Sequence, residues 1–326
     1  MSNLPFWNGK HVLITGPDGF IGSHLTEILI KAGAKVSIYV KEKTSSNSIQ
    51  CQLGNISHLR DSFFDIITGN IADKDALQLI NKNNPEIIFH LAAKAYVPFS
   101  FDHPFEVMET NVVGTLNVLE STRLNSNIQR VIVTSSSEIY GTAQYSPIDE
   151  NHPLNPTSPY AASKVASDRY AFSYYTTYGI PVSIVRPFNM YGPRHTYDMV
   201  PKFINSALKG DPINIYGDGN QSRDLLYVED AVDAFLLMGS HENAIGRAVN
   251  FCTGEYHSVN KCARLIKKIS CSSSRIIHVE KRDAEVLKLC GDSSLAKELF
   301  DWRPKISLEE GLQKNIDYVR KHGVNK

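Results

Sequence analysis

Short apolar runs alternate with stretches of helical apolar spacing through the first half of the chain. The apolar runs predict buried strands at residues 10–15, 35–40, 64–68, 86–91 and 131–134. Helical spacing follows at residues 23–32, 73–82 and 104–122, with Asp73 as the expected N-cap of the second helix. Residues 44–50 are polar and lack periodicity, which predicts a loop. Strands alternating with helices predict an α/β fold with a parallel sheet that binds ligands at the carboxyl ends of its strands.

The first predicted strand runs directly into a glycine-rich turn, and a predicted helix follows. Glycines let a backbone approach a pyrophosphate closely, and a helix N-terminus offers free N–H groups and a partial positive charge. The same letters also occur in ordinary tight turns, but the order strand, glycine turn, helix favours a dinucleotide site. The predicted cofactor-binding residues of this turn are Gly16, Asp18, Gly19, Phe20, Ile21 and Gly22.

The end of the second predicted strand bears on the choice between NAD+ and NADP+. An acidic residue there would bind the adenosine ribose of NAD+. This chain has Val40 at that place, followed by Lys41 and, two residues later, Lys43. The lysines suit the 2′-phosphate of NADP+, and they equally suit a solvated loop, so both cofactors stay open. After the fourth strand, Ala92 and Ala93 are small enough to let a cofactor pass, and His90 is interpreted as a packed histidine.

A tyrosine and a lysine four residues apart, Tyr160 and Lys164, begin another predicted helix and share one face of it. An ammonium group beside a phenol favours the phenolate, so Tyr160 is a candidate base well below its usual pKa of about 10. The strand at residues 131–134 ends in Ser135, Ser136 and Ser137, whose hydroxyls would hydrogen-bond a substrate alcohol. Such a pair often only decorates a helix, and the other motifs favour the functional interpretation. Together these residues predict the removal of hydride and a proton from an alcohol.

Composition excludes several classes of protein. The chain has 326 residues, enough for one large or two modest domains, and its 34 Lys plus Arg balance 34 Asp plus Glu. That balance indicates no nucleic acid or anionic membrane as a partner. The five cysteines form no C-x-x-C pair, which indicates free thiols in a reducing compartment and neither a disulfide framework nor a metal site. The N-terminus lacks the build of a signal peptide, and no apolar run reaches the roughly 20 residues of a membrane span, so we expect a cytoplasmic protein.

The pattern changes in the second half. Residues 181–186 predict one more strand, with Asn189 just past its end, and after Pro193 the alternation becomes less regular. We therefore predict a dinucleotide-binding domain over residues 1–187 and a smaller substrate-binding lobe over residues 188–326, with some exchange of chain between them.

Taken together, the motifs resemble those of the extended short-chain dehydrogenase/reductases, which act on nucleotide sugars. The resemblance rests on Gly16-x-x-Gly19-x-x-Gly22, His90-Leu-Ala-Ala93, Ser135-Ser-Ser-Glu138-x-Tyr140-Gly141 and Tyr160-x-x-x-Lys164. In the second half, Arg186-Pro-Phe-Asn189-x-Tyr-Gly-Pro-Arg194 and Gly217-Asp-Gly-x-x-x-Arg223-Asp224 resemble the same family. The likeness spans almost the whole chain. It implies a Rossmann-type, doubly wound parallel sheet with a smaller C-terminal lobe.

The resemblance also implies further site residues and an assembly. Asn70, where the family usually has aspartate, and Ile71 would lie near the adenine, and Leu91, Ala92, Ala93 and Lys94 complete the expected cofactor set. The expected substrate-binding residues are Asn189, Arg194, Arg223 and Arg282, of which the two last suit a pyrophosphate. The helices near residues 105–122 and 160–178 would pair with their copies in a four-helix homodimer interface. Extra apolar residues that favour this assembly are Tyr170, Phe172, Tyr174 and Tyr175.

Within this family Glu138 distinguishes the chemistries. Epimerases have a small residue there, whereas 4,6-dehydratases and UDP-glucuronate decarboxylases have glutamate. The run from Ser136 to Tyr145 resembles the 4,6-dehydratases of the legionaminic-acid type, which use nucleotide-linked N-acetylglucosamine. Alternatives to the dehydratase are a 4-epimerase, a UDP-glucuronate decarboxylase and a non-catalytic NAD(P)-binding regulatory protein. The alternative for Glu138 itself is a charge that only orients a neighbour or caps a helix.

The dehydratase resemblance assigns roles to the catalytic set. Tyr160 takes the proton of the hydroxyl on carbon 4, Lys164 keeps it ionised, and Ser136 hydrogen-bonds the same oxygen. Glu138 then removes the proton on carbon 5, which the new ketone acidifies. Water leaves from carbon 6. Ser137 stands where glucose-type dehydratases have an acidic aspartate, so water, Ser137 or Glu138 supplies the proton.

Overall fold

The computed structural model describes residues 4–41, 53–281 and 286–323, together with the backbone of residues 44–45 and 48–49. The strands are β1 (His11–Thr15), β2 (Lys35–Val40), β3 (Thr44–Ser45), β4 (Ser48–Ile49), β5 (Asp65–Thr68), β6 (Ile87–His90), β7 (Arg130–Thr134), β8 (Val182–Pro187), β9 (Met190–Tyr191), β10 (Ile213–Tyr216), β11 (Ser222–Arg223), β12 (Leu226–Tyr227), β13 (Ala248–Phe251), β14 (His257–Ser258) and β15 (Ile276–Val279). The six strands predicted from apolar runs are thus confirmed to within one residue.

The α-helices are α1 (Leu4–Trp7), α2 (Phe20–Lys31), α3 (Asp75–Asn83), α4 (Val97–Asp102), α5 (Pro104–Met108), α6 (Gly114–Leu124), α7 (Pro159–Tyr178), α8 (Met199–Lys209), α9 (Val228–Ser240), α10 (Val259–Ile269), α11 (Ser294–Phe300) and α12 (Leu308–His322). Short 3₁₀ turns lie at Ser57–Ser62, Ser137–Tyr140 and Glu242–Ala244, and a π turn lies at Glu109–Val113. Within the described ranges every helix is too short or too polar to cross a bilayer.

Seven strands form one sheet in the order β13-β8-β7-β6-β1-β2-β5, and the neighbouring pairs from β8 to β5 are parallel. The strands are apolar without alternation because both faces of the sheet are buried. Thr15 pairs with His90, and His90 with Val133, so three strands end at the same edge. This arrangement confirms the predicted α/β, Rossmann-type fold.

The chain folds into two compact units. The first contains Met1–Ile139, Ser158–Arg186 and Val232–Val249, and the second contains Tyr140–Thr157, Pro187–Ala231 and Asn250–Lys326. In the first unit a core under the sheet includes Leu13, Ile80, Ile88, Leu119 and Val133. In the second, the strand pairs β9–β12, β10–β15 and β11–β14 accompany helices α8, α10 and α12, which pack on one another.

Three local predictions were wrong. The helix expected over residues 104–122 is divided, because the π turn at Glu109–Val113 separates α5 from α6. Asp73 does not cap α3, which begins at Asp75. The carboxylate of Asp73 instead accepts a hydrogen bond of 3.1 Å from the Asn70 amide. Residues 44–50, expected to be a loop, contain the antiparallel pair β3–β4.

Candidate active site

The turn between β1 and α2 is so close that it requires glycine. Gly16 has φ +70°, and a Cβ on it would lie 2.8 Å from the amide nitrogen of Ala92. A Cβ on Gly22 would lie 2.1 Å from the carbonyl oxygen of Gly16. The N-cap residue of α2 is Gly19, which has no side chain to occupy the free N–H groups of the first helical turn. The turn therefore suits an anionic group such as a pyrophosphate.

The other side chains of this turn face different tasks. The carboxylate of Asp18 accepts backbone hydrogen bonds from Gly54 (2.9 Å), Asn55 (2.7 Å) and Ile56 (3.3 Å). Its predicted contact with the cofactor thus coincides with a role in holding the 54–56 segment beside the glycine turn. Ile21 is buried, and Phe20 is half-buried with its ring against His24.

The residues expected at the ribose and adenine lie at the ends of β2 and β5. Val40 is buried at the end of β2, where a carboxylate would distinguish NAD+, and Lys41 follows it exposed to solvent. The amide of Asn70 is engaged locally, because its Oδ1 accepts the N–H of Ala72 at 3.3 Å. Ile71 is buried.

Past β6 the chain is fixed by hydrogen bonds to its backbone. Leu91 N–H donates to the carbonyl of Thr15 at 3.2 Å, and Ala92 N–H donates to the Thr15 hydroxyl at 3.1 Å. Lys94 forms an ion pair of 2.5 Å with Glu106. Ala93 lies between these anchored residues and is half-buried. The predicted segment therefore passes along the edge of the sheet beside the glycine turn.

Ser135, Ser136 and Ser137 lie at the carboxyl end of β7 and are buried. Ser135 continues the sheet, since its N–H donates to the carbonyl of Val185 at 2.8 Å. The chain then forms a 3₁₀ turn, in which the N–H of Glu138 donates to the Ser136 hydroxyl at 3.2 Å. Glu138 itself is half-buried. The backbone of Glu138 is thus tied to the Ser136 hydroxyl at the carboxyl end of β7, the edge of the sheet where ligands bind.

Tyr160 and Lys164 lie in the first two turns of α7. The helix begins after Ser158, whose hydroxyl accepts the N–H of Ala161 at 3.1 Å, a regular N-cap. The Lys164 ammonium donates to the carbonyl oxygen of Thr134, the last residue of β7, at 2.8 Å. Both side chains are buried, and burial lowers the pKa of Lys164 to about 8. The amine thus stays mostly protonated at neutral pH and is tied to the strand that carries the serines.

Sequence reasoning missed Asn111, which lies in the π turn and is buried. Its Oδ1 accepts the N–H of Lys94 at 2.8 Å, and its Nδ2 donates to the hydroxyl of Ser163 at 2.9 Å. A polar residue inside an apolar helical stretch was the available signal. Because π turns often occur at functional sites, its place between the cofactor segment and the Tyr160 helix is notable.

Three of the four predicted substrate-binding residues are among the described residues, and these three lie in the second unit. Asn189 follows β8, and its Oδ1 is buried without a hydrogen-bond donor in the described part of the chain. Such an oxygen is costly unless a ligand or water satisfies it. Arg194 is half-buried and has φ +70°, an uncommon conformation for a side-chain-bearing residue. Arg282 lies outside the described residues.

Arg223 is held in β11 by the backbone. One guanidinium nitrogen, Nη1, donates to the carbonyls of Val286 at 2.7 Å and Ser222 at 3.0 Å. The neighbouring Asp224 is fully buried, and its carboxylate accepts four hydrogen bonds: from the N–H and hydroxyl of Thr253, from Gly254 and from Gly291. The guanidinium group of Arg223 is therefore fixed by two backbone carbonyls, and its other nitrogens offer N–H groups to an anion.

Among the described residues, no group of three or more His, Cys, Asp or Glu side chains is arranged to hold a metal ion.

Comparison with known proteins gives a consistent result. A family model described as GDP-mannose 4,6 dehydratase matches residues 13–315. A putative UDP-glucose 4-epimerase of Methanocaldococcus jannaschii is 34% identical, with 95% of this chain and 98% of that protein covered. A UDP-N-acetyl-alpha-D-glucosaminuronate decarboxylase of Bacillus cytotoxicus is also 34% identical, with 95% and 98% covered. Among solved structures, a dTDP-glucose 4,6-dehydratase of Bacillus anthracis in complex with NAD has a TM-score of 0.83 at 26% identity, covering 96% of this chain and 97% of that one.

Proposed function

We propose, since the chain belongs to the NAD-dependent epimerase/dehydratase family of short-chain dehydrogenase/reductases, that it is a nucleotide-sugar 4,6-dehydratase. The observation that carries the proposal is the place of Glu138, in the 3₁₀ turn that follows β7, with its backbone N–H on the Ser136 hydroxyl. Oxidation at carbon 4 alone needs a hydroxyl, a tyrosine and a lysine. A carboxylate in the same turn adds the base that elimination requires.

The cofactor is NAD+ or NADP+, and the first unit fits such a molecule. A Cβ on Gly16 or Gly22 would collide with backbone, so the glycine turn approaches its neighbours as closely as a pyrophosphate site needs. The first turn of α2 offers N–H groups that no N-cap side chain occupies. When bound, NAD(P)+ would supply a hydride acceptor for carbon 4 and a hydride donor for carbon 6, so that each cycle would regenerate it.

Tyr160, Lys164 and Ser136 perform the oxidation. Tyr160 accepts the proton of the hydroxyl on carbon 4 while the C–H bond of that carbon breaks. The Lys164 ammonium, fixed on the Thr134 carbonyl, stabilises the phenolate. Ser136 donates a hydrogen bond to the substrate oxygen, which leaves its own oxygen free to accept the Glu138 N–H. Each group thus has one defined task.

Glu138 performs the elimination. The ketone at carbon 4 acidifies the C–H bond at carbon 5, and the Glu138 carboxylate takes that proton. The electron pair forms the C5–C6 double bond, and hydroxide leaves carbon 6, protonated to water by Ser137, a water molecule or Glu138. Return of hydride to carbon 6 and of a proton to carbon 5 gives the 4-keto-6-deoxy sugar.

The proposed substrate is UDP- or GDP-linked N-acetylglucosamine. In the second unit, the buried Oδ1 of Asn189 can accept a hydrogen bond from a ligand, and Arg223 provides N–H groups suited to a diphosphate. These two features support a ligand with hydroxyl or amide donors next to phosphate groups. Arg194 and Arg282 stay proposed contacts from the sequence.

A 4-epimerase is the second candidate, favoured by the similarity to the Methanocaldococcus jannaschii protein. Epimerisation would use Ser136, Tyr160 and Lys164 and would leave Glu138 without a chemical task. A decarboxylase would act on a nucleotide-linked uronic acid instead.

We also propose that the protein is a homodimer through α5, α6 and α7. Phe105 and Met108 on α5 and Tyr170 and Phe172 on α7 are exposed, and α5 packs against α7 in the first unit. Exposed apolar side chains on two helices that pack together support an interaction site there. Of the tyrosines expected there, Tyr174 instead donates to Glu120 within the same chain at 2.5 Å.

The test incubates the purified protein with UDP-N-acetylglucosamine, its GDP counterpart, dTDP-glucose and UDP-glucuronate, followed by mass spectrometry and NMR. Loss of one water, abolished by Glu138→Gln and retained by the exposed control Glu298→Gln, supports the dehydratase. An unchanged mass with a new sugar epimer establishes the epimerase, and loss of carbon dioxide establishes the decarboxylase. Either result overturns the proposal.

A further inference from the structure

A buried chain of hydrogen bonds starts at the glycine turn. Ala92 N–H donates to the Thr15 hydroxyl (3.1 Å), which contacts Nδ1 of His90 at 2.8 Å. On the other side of the ring, Nε2 lies 3.1 Å from the Thr115 hydroxyl. That hydroxyl lies 2.6 Å from the backbone carbonyl oxygen of Asn111. Thr15 immediately precedes Gly16, so the chain leads from the proposed pyrophosphate site into the π turn.

The protons in this chain have one consistent arrangement. The Asn111 carbonyl only accepts, so Thr115 gives it its single hydroxyl proton and must accept from His90 Nε2–H. Nδ1 of His90 then accepts the hydroxyl proton of Thr15. This requires a neutral ring protonated at Nε2. Complete burial favours the neutral form and lowers the pKa of His90 to about 3.

From the π turn the connection continues to the helix of Tyr160. Asn111 Nδ2 donates to the Ser163 hydroxyl at 2.9 Å, and that hydroxyl donates to the carbonyl oxygen of Tyr160 at 2.7 Å. The Ser167 hydroxyl, one turn further along α7, donates to the Asn111 carbonyl at 2.7 Å. All of these residues are buried in the first unit. The position of Asn111 therefore sets the position of the first two turns of α7.

We propose that His90 is a positioning residue that couples the glycine turn to the first turn of α7, where Tyr160 lies. A neutral imidazole suits the place because it presents one acceptor and one donor on opposite sides of a rigid ring. With its acceptor it fixes Thr15 beside the cofactor turn, and with its donor it fixes Thr115 against the π turn. The inference rests on the proposed function only for the role of Tyr160 as the base.

Two substitutions separate the halves of this connection. The amide of Asn in His90→Asn reaches the place of Nδ1 and retains a partner for Thr15, but nothing reaches Thr115. The longer amide in His90→Gln reaches the place of Nε2 and retains a donor for Thr115. Thr115→Val removes only the hydroxyl, and Thr115→Ser is its matched control because the hydroxyl stays.

The experiment measures hydrogen–deuterium exchange of a peptide over residues 159–167 in the full chain saturated with NAD+, together with the Kd for NAD+. We expect His90→Asn and Thr115→Val to speed exchange in the first turn of α7 by roughly two- to tenfold, as one lost hydrogen bond predicts. In His90→Gln and Thr115→Ser the exchange rate of this peptide should stay within twofold of that of the original protein. His90→Gln should instead raise the Kd for NAD+, by roughly two- to tenfold.

The pattern across variants decides the inference. A residue with only a packing role would make His90→Asn and His90→Gln alike in both measurements, and that result overturns the coupling. Equal exchange in Thr115→Val and Thr115→Ser overturns it as well, even where one histidine variant fails to fold. No nucleotide sugar is needed, so a protein that turns over none of them still gives a clear answer.

Discussion

The ammonium of Lys164 donates a hydrogen bond of 2.8 Å to the backbone carbonyl of Thr134. The contact joins the second turn of α7 to the last residue of β7, and so links Tyr160 on the helix to the serines that follow the strand. The carbonyl is the terminal one of a buried strand, and the lysine is almost wholly removed from water. Lys164 is therefore a desolvated cation held for a purpose other than stability.

The first prediction concerns Lys164→Met. Burial lowers the pKa of Lys164 to about 8, so in the folded state the amine releases its proton at a lower pH than in the unfolded state. Between about pH 8 and 10 the unfolded chain binds more protons, and the free energy of unfolding rises with pH by up to about 3 kcal/mol. This rise should be absent from Lys164→Met.

The measurement is the difference in Tm between the two proteins from pH 7 to 10. At pH 7 the variant should be as stable as the original protein or more so, because the desolvation cost of a buried charge is gone. Turnover should fall roughly 10²- to 10⁴-fold. Lys202→Met is a control on the surface of α8. A constant difference in Tm across this pH range would contradict the buried-cation interpretation.

The second prediction concerns Gly22→Ala. Its Cβ would lie 2.1 Å from the Gly16 carbonyl oxygen, so the glycine turn must open, at a cost of roughly 1–3 kcal/mol. We expect weaker NAD(P)+ binding and a lower Tm. Gly54→Ala is the matched control, since its Cβ meets its nearest neighbour, Asp18 Oδ2, at an ordinary 3.6 Å. Cofactor titration by fluorescence distinguishes the two, and equal affinity in both variants would contradict a close pyrophosphate turn at Gly22.

Much of the first unit could be predicted from the sequence because the patterns that mark its elements are local. The apolar runs marked six of the seven strands of the main sheet to within one residue, and the glycine spacing marked the turn that the fold makes at Gly16. Tyr160 and Lys164 needed only helical spacing to fall on one face. Where one element determines the arrangement, one stretch of sequence was sufficient.

The rest depends on partners far apart in the chain. The side chain of Asn111 forms its hydrogen bonds with Lys94 and Ser163, which are 17 and 52 residues away in the chain. The π turn that presents it leaves no mark on apolar periodicity, so an unbroken helix was expected. Asp73 looked like an N-cap by position, yet the Asn70 amide engages its carboxylate. Such competition between polar partners is decided in three dimensions.

The third prediction concerns Asp224→Asn in the second unit. Each carboxylate oxygen accepts two hydrogen bonds: Oδ1 from Thr253, and Oδ2 from the N–H groups of Gly254 and Gly291. The substitution replaces one oxygen with an NH₂ group, which is itself a donor and so faces two other donors. We expect a loss of roughly 2–4 kcal/mol in the free energy of unfolding, as two or more buried groups become unsatisfied. Asp218→Asn, whose carboxylate lies at the surface, is the control.

The loss should also depend on pH. Burial raises the pKa of Asp224 to about 6 against its four donors, so the folded protein takes up a proton as the pH falls through 6. The unfolded chain binds this proton only near pH 4, and the original protein therefore gains stability from this group between pH 7 and 5. The gap to Asp224→Asn should widen on acidification in urea unfolding. A gap that narrows would contradict the raised pKa.

The last prediction concerns the proposed homodimer. Phe105 on α5 is 78% exposed and Phe172 on α7 is 42% exposed, and a charge on either would have to be buried in an interface formed by these helices. We expect Phe105→Glu and Phe172→Glu to shift the protein from dimer to monomer in analytical ultracentrifugation. Phe64→Glu, at a 57% exposed position beside β5, is the matched control and should leave the assembly intact. If all three variants sediment alike, the interface lies elsewhere, because an unpaired buried carboxylate costs more free energy than an ordinary dimer contact supplies.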